Sequence, residues 1–378
     1  MSSNRIIFLC RRYCPGEAWT NRILAYARGL AELGQEVCIF YLISDKNRST
    51  YQIDIPGVTI IDLWKNDGFI ARRFRPISFL INLLMFRKYI KKGDKIFVYN
   101  AERLLLDTAF KTGTPVYAEI TEHPYIYNNN GISGERSIDK KMIGLSRLSG
   151  LSVISNNLKK YFISIGINEN QVSVVNMFVD CNRFQNVAKE SCSPYIAYCG
   201  TVSYDKDGVN LLIQSFSIFH KSHPDYKLFI IGRGYSTTVL DELKALANSF
   251  NIGSHVIFTG QVHPNEMPKL LVNARMLALE RPNNLQAQNG FPTKLGEYLA
   301  TGNPVVVTRV GEIPNFIIDK ENGILAEPDN IEDFAQKLSW VADNYDQALK
   351  IGKNGQSLAQ THFSYITQSK VLLDLMNK

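Results

Sequence analysis

Residues 289–308 read NGFPTKLGEYLATGNPVVVT, and this stretch constrains the chain more than any other. Pro292 fixes a backbone angle suited to the first turn of a helix, so a helix is expected to start near it. Leu295, Leu299 and Ala300 recur on one face before Gly302 and Pro304 end it. Val305, Val306 and Val307 are β-branched and bounded by turn signals, the pattern of a buried parallel strand. The NH groups of Phe291, Thr293 and Lys294 would be free at that helix start. Together with the helix dipole and the Lys294 ammonium they suit a phosphate or diphosphate. Glu297 follows one turn later on the same face, where a carboxylate accepts hydrogen bonds from sugar or ribose hydroxyls. A helix and strand of an ordinary α/β domain is the plain alternative.

The same residues resemble the donor-site motif of the family 4 retaining glycosyltransferases (glycosyltransferase group 1). That resemblance implies the GT-B fold, an α/β architecture of two Rossmann-like doubly wound domains facing across a cleft. The family motif has two glutamates with seven residues between them. Glu297 matches the second, which contacts the ribose of a nucleotide sugar, while Asn289 stands in place of the first. The resemblance assigns the donor to Asn289, Gly290, Phe291, Pro292, Thr293 and Leu295, with Asn289 at the sugar hydroxyls. A Pro-x-Lys before the second glutamate is similar to polysaccharide-assembly members, and here that lysine is Lys294.

A chain of 378 residues is longer than a single core usually supports, and two domains of similar size are expected. The expected division is 1–188, an acceptor-binding domain, 189–360, a donor-binding domain, and 361–378, a helix crossing back to the first. Six scattered cysteines show no CxxC pair and no zinc-like spacing, and read as reduced thiols of a cytoplasmic protein. The first residues, MSSNRIIFLCRRY, lack the pattern of a signal peptide, and no uncharged apolar stretch approaches the ~18 residues of a spanning helix. Residues 1–190 hold 26 basic against 17 acidic side chains and the remainder 16 against 18. The basic character therefore belongs to the first half. No nucleic-acid-binding motif accompanies it, so nucleic acid is not expected as a partner.

In that half, Ile6–Leu9, a helical pattern from Ile23 to Leu33 and Val37–Leu42 make a strand, helix, strand unit. Ligands of such sheets lie beyond the carboxyl ends of the strands, which aims the first loop, with Gly16 and Glu17, at phosphate or acceptor. Gly16 is equally a plain turn glycine. Val116–Ile120 leads into His123, which resembles the family histidine near the reacting carbon and otherwise reads as a loop residue. Further strands are expected at Ile96–Tyr99 and Leu151–Ser155. Residues 72–92, RRFRPISFLINLLMFRKYIKK, carry seven basic residues around an apolar centre and no acid. Such a segment suits the surface of an anionic bilayer, or equally a half-buried helix with solvated ends.

In the second half, Tyr195–Cys199 is a strand closed by Gly200, Thr201 and Val202. Where the family has Gly-Arg-Leu and then Lys-Gly, this chain has Thr201 for the arginine and Lys206-Asp207-Gly208 for the Lys-Gly. Lys206 is assigned to the diphosphate, with Lys294 standing in for the absent arginine. Strand Lys227–Ile231 ends in Gly232-Arg233-Gly234, which lacks the full GxGxxG, so a nicotinamide cofactor is not expected. In the family this turn borders the nucleotide, and Val262 lies at the height of the base. Strands are expected at Val256–Thr259 and Leu277–Leu279, and helices over 331–378.

The resemblance implies transfer of a sugar, with retention and without metal or other cofactor, from a nucleotide diphosphate sugar to a glycan or lipid-linked acceptor in cell-surface polysaccharide assembly. Lys206 and Lys294 take the diphosphate, Glu297 the ribose and His123 the reacting centre. Two readings remain beside it: a nucleotide-sugar-binding partner subunit without turnover, and a sugar-nucleotide epimerase of the same fold.

Overall fold

A computed structural model describes residues 5–14, 17–43, 54–62, 75–128, 134–190 and 193–378. Thirteen strands are described, and they form two sheets, each wholly parallel. The first contains β1 (Ile6–Arg12), β2 (Val37–Ile43), β3 (Val58–Asp62), β4 (Lys95–Tyr99), β5 (Val116–Ile120), β6 (Gly150–Val153) and β7 (Val172–Val174). Its order is β3-β2-β1-β4-β5-β6-β7. The second contains β8 (Tyr195–Cys199), β9 (Lys227–Ile231), β10 (Val256–Gly260), β11 (Met276–Leu279), β12 (Val305–Thr308) and β13 (Ile324–Ala326), in the order β10-β9-β8-β11-β12-β13. Counted from its own first strand, each sheet runs 3-2-1-4-5-6, the doubly wound order in which chain direction reverses beside the first strand.

The sequence explains why these segments are strands. β1 begins Ile6-Ile7-Phe8-Leu9, all at most 1% exposed, and β12 begins Val305-Val306-Val307, equally buried. A strand covered by helices on both faces has no wet side, so its residues run apolar without alternation.

The chain divides into two compact units, one of Met1–Asn176 with Tyr365–Lys378, the other of Met177–Ser364. The passage lies upstream of residue 188 because the segment after Asn176 already packs on the second unit: Met177 and Val179 border Gly296 on helix Thr293–Ala300.

In the first unit, helix Ala18–Glu32 is fixed to the sheet by a buried network. Arg22 donates to both oxygens of Glu119, at 2.8 and 2.7 Å, and the Tyr26 hydroxyl donates to the same carboxylate at 2.6 Å. Arg22 also reaches the carbonyls of Val175 and Asn176. Helix Tyr365–Met376 lies against helix Ala18–Glu32. The two meet at Gly29, where a Cβ would collide with the Ser369 hydroxyl, and Tyr365 donates to Glu32 at 2.8 Å. Gln368 and the Met376 carbonyl accept from Asn176 and Tyr117, tying the helix to the strands it covers.

Candidate active site

In the second unit the carboxyl ends of β8, β9, β10 and β11 bring their loops together. Val202 bridges Gly234 and Gly232 bridges Gly260, so the turns after β8, β9 and β10 form one surface. Gly232 has φ 144°, and a Cβ there would strike the Gly200 carbonyl. The expected donor role of Gly232 therefore comes with a structural one: only glycine lets these two turns touch.

Helix Thr293–Ala300 starts one residue later than expected, with Pro292 as its N-cap at φ −71° and ψ 115°. Its second turn is bolted to β8. The Tyr298 hydroxyl accepts the Cys199 NH at 2.6 Å and faces the Cys199 carbonyl at 3.3 Å. That contact positions Lys294 over the Tyr198 ring, 4.8 Å from its centroid, and against Gly200, where a Cβ would occupy the place of the ammonium.

Lys294 is not a free cation. Its ammonium pairs with Asp207, whose side chain is 1% exposed, and also donates to the Tyr198 hydroxyl at 3.2 Å. Tyr198 in turn donates to Asp207 at 2.8 Å. Arg281, 3% exposed, approaches the other Asp207 oxygen at 3.8 Å and donates through Nε to the Lys206 carbonyl at 3.2 Å. Burial pushes the Asp207 carboxyl up, but Lys294 and Arg281 outweigh it and hold the group below its ordinary value. Burial pulls the Lys294 ammonium down, with Asp207 opposing. Two cations thus face one buried anion.

The remaining expected residues fall into three groups. Lys206 lies in the short helix Tyr204–Asp207 with its side chain exposed. Glu297 faces Arg183, which donates to it at 2.6 Å, so this carboxylate has a cationic partner. Asn289 closes helix Leu285–Asn289 and donates to the Leu285 carbonyl at 2.9 Å. Gly290 is buried, and a Cβ there would crowd the Gln286 carbonyl at 2.8 Å. Thr293 is exposed, and Val262 is half-buried in the loop after β10.

Two side chains expected at the donor point elsewhere. Leu295 is wholly buried in the core of the second unit. Phe291 stacks on Phe316, with centroids 5.4 Å apart, and meets Phe363 edge-on. Both are apolar and stabilise the helix start from beneath, so Leu295 is withdrawn from the donor surface and Phe291 offers only its backbone.

His123 belongs to the first unit, just past the carboxyl end of β5, and is 6% exposed. Its Nδ1 accepts from the Tyr125 NH at 3.3 Å, and its ring packs on Tyr125 and Tyr161 at 4.7 and 4.3 Å. Both tyrosine hydroxyls donate to Asp139, at 3.0 and 2.7 Å. Burial lowers the His123 value, Asp139 working the other way, so the imidazole is neutral at pH 7. Glu17 is the N-cap residue of helix Ala18–Glu32, with no side-chain cap bond, and Gly16 lies outside the described residues.

Asp207, Arg281, Tyr198, Tyr298 and Arg183 were given no role by sequence reasoning. One signal was present for the first: an acid directly before Gly208, where the family motif has a lysine, calls for a cation from elsewhere in the chain.

Residues 182–358 match the family model described as "Glycosyl transferases group 1". These residues are a domain of the glycosyl transferases group 1. Among curated relatives, D-inositol 3-phosphate glycosyltransferase of Corynebacterium kroppenstedtii is 27% identical over 186 residues, 48% of this chain and 39% of the relative. The GDP-mannose-dependent alpha-(1-6)-phosphatidylinositol monomannoside mannosyltransferase of Mycolicibacterium smegmatis is 23% identical over 185 residues, 48% and 47% of the two chains. The match thus spans less than half the length of either relative. Among solved structures, Anabaena HepE in complex with UDP and glucose superposes with a TM-score of 0.74 at 15% identity, covering 99% of each chain. TarM superposes with a TM-score of 0.77 at 12% identity, again over 99% of each. The chain has the GT-B fold of these structures.

Proposed function

We propose that this protein transfers a sugar, with retention, from a nucleotide diphosphate sugar to a glycan or lipid-linked acceptor in cell-surface polysaccharide assembly, at the cytoplasmic face of an anionic membrane. The observation that carries the reading is the buried cluster of Lys294, Arg281 and Asp207 at the strand ends of the group 1 domain. The bond between the sugar C1 and the β-phosphate oxygen breaks, and the acceptor oxygen bonds to C1 on the same face. The acceptor hydroxyl proton passes to the departing phosphate oxygen. Charge therefore develops on the diphosphate, where preorganised cations contribute most. Lys294, Arg281 and Lys206 supply them, with the NH groups at the start of helix Thr293–Ala300. Glu297 accepts from the ribose, Asn289 from and to the sugar, and neutral His123 orients the reacting centre. No metal has a part in this scheme, so a chelator is expected to leave turnover unchanged.

Support for a nucleotide sugar comes from the relatives: HepE was solved with UDP and with UDP-glucose, and a mycolicibacterial relative is named as GDP-mannose-dependent. The reading as a binding subunit without turnover draws on one observation, that Lys294 is already paired with Asp207. A panel of UDP and GDP sugars separates the two. Thermal stabilisation by a donor, together with release of the nucleotide diphosphate in the presence of lipid-linked glycan, is the expected result. Stabilisation without release by any donor and acceptor pair rejects transfer in favour of binding.

A further inference from the structure

The strand ends of the first sheet that carry His123 have an opposite edge, where chain enters β4 and β5. There the end of helix Arg75–Tyr89 and the two entering loops enclose a cavity of about 370 Å³, lined chiefly by Arg87, Lys91, Lys92, Thr112 and Thr114. Among the described residues no acid lines it. Asp94, next to the lining residue Gly93, is 1% exposed and turned inward, taking two bonds from Arg5, at 3.0 and 2.7 Å, and one from the Lys91 NH. Arg87, Lys91 and Lys92 are exposed and line this space, and such a concave array of one sign concentrates anions. Lys111, also exposed, adds to the field from the residue before Thr112.

A second observation points to what the anion is attached to. The helix that leads to this cavity exposes Leu80, Ile81, Leu84 and Met85 at 59, 38, 57 and 43%. Leu80 and Leu84 lie four residues apart and Arg87 three further on, so an apolar strip on this helix leads to a cation that lines the cavity. Apolar contact followed by a ring of lysine and arginine is the arrangement of a surface that meets acyl chains and headgroups together.

We propose that this cavity is a second anion site, separate from the donor cluster, that takes the phosphate of a phosphate ester, with the Leu80–Met85 strip receiving an attached hydrophobic chain. The inference rests on the reading of the protein as one that works at an anionic bilayer. Shared chemistry leaves two sources, a phospholipid headgroup or a free phosphate, and two arms of one experiment separate them.

The full chain is titrated with vesicles of phosphatidylcholine containing one-third phosphatidylglycerol, with phosphatidylcholine alone, and with inorganic phosphate. The variants are the triple Arg87→Ala/Lys91→Ala/Lys92→Ala, the pair Leu80→Ser/Leu84→Ser, and a control, Lys140→Ala/Lys141→Ala, on the exposed face of another helix of the same unit. Each cation lost at a membrane surface lowers affinity roughly fivefold, so the triple is expected to lose on the order of a hundredfold for phosphatidylglycerol vesicles and the control under about twofold. The leucine pair loses vesicle binding only. Phosphate binding that vanishes in the triple adds the free ion as a ligand; vesicle binding alone assigns the site to headgroups. The proposal is overturned if the triple binds vesicles and phosphate as the parent does, or if triple and control fall equally. Turnover with a soluble acceptor, measured alongside, is unaffected in every variant, so failure here leaves the transferase reading standing.

Discussion

Lys294 and Asp207, 87 residues apart in sequence, form an ion pair at the carboxyl edge of the second sheet. The pairing reverses the sign expected just before Gly208 and moves the cation to the start of helix Thr293–Ala300. Asp207 therefore holds Lys294 and Arg281 in place, and its own charge is present so that theirs are correctly aimed.

Removing either partner separates these roles. Lys294→Ala deletes a charge-assisted contact to the departing diphosphate and leaves Asp207 buried beside Arg281 alone. Turnover is expected to fall well over tenfold, a barrier increase above about 1.4 kcal/mol. Asp207→Asn keeps the shape and releases both cations, so donor binding and turnover fall while the melting temperature falls less than in Lys294→Ala. Steady-state kinetics and thermal melts of the two variants decide it, and parental turnover in Lys294→Ala removes that lysine from the mechanism.

Asn289 and Glu297 are expected to fail differently. Asn289 offers a neutral amide where the family has a carboxylate, and an amide both donates and accepts. Asn289→Ala alters the ranking among donor sugars. Glu297→Ala weakens every donor that shares the ribose, and frees Arg183 from its 2.6 Å partner. A donor panel with both variants reads this out; an unchanged ranking in Asn289→Ala means that its side chain does not read the sugar.

The pH response follows from His123. Its folded value lies below the ordinary one because of burial, as do those of His362 and His220. The unfolded chain consequently takes up protons first as pH falls. Stability from these groups is complete above about pH 6.5 and is lost as pH drops below it through the folded values. Melting temperature is expected to hold from pH 8 to 7 and decline below 6.5, less steeply in His123→Gln. An acid decline as steep in His123→Gln as in the parent rejects this residue as a contributor.

Gly29 tests the returning helix. Gly29→Val places a branched side chain where Ser369 now sits and is expected to destabilise by about 1–3 kcal/mol, as overpacking does. Gly29→Val with Ser369→Gly, which makes room, recovers part of that loss. Denaturant titration of the two measures it, and equal stability of parent and Gly29→Val means that the helices do not pack here.

The central strands were legible because burial on both faces makes them mostly apolar: Val116–Ile120, Tyr195–Cys199 and Lys227–Ile231 stand where expected. β3, β7 and β13 were not, for all three are edge strands of three to five residues, and β3 is half-exposed along most of its length. A short edge strand owes its conformation to its neighbour rather than to its own sequence. The site divides in the same way. Lys294 and Glu297 were visible because a helix start and its spacing are local. Asp207 with Arg281, Tyr298 with Cys199, and Arg183 with Glu297 are made by folding, between positions 74 to 114 residues apart, and no local pattern announces them. The inward turn of the Phe291 and Leu295 side chains was not legible, because a motif marks a segment and not which of its side chains turn inward.

The helix Tyr365–Met376 follows the whole of the second unit in the chain yet belongs to the first. The second unit is in effect an insertion, and a ribosome delivers it before the piece that seals its host. At about 5–20 residues per second, synthesis of the second unit alone takes roughly 10–40 seconds, during which Gly29 and the strands beneath that helix stay uncovered. The order of completion therefore inverts the order of synthesis: the inner unit is able to finish while the outer one still presents an open apolar face, and a nascent chain stalled within the second unit is a ready client for a chaperone.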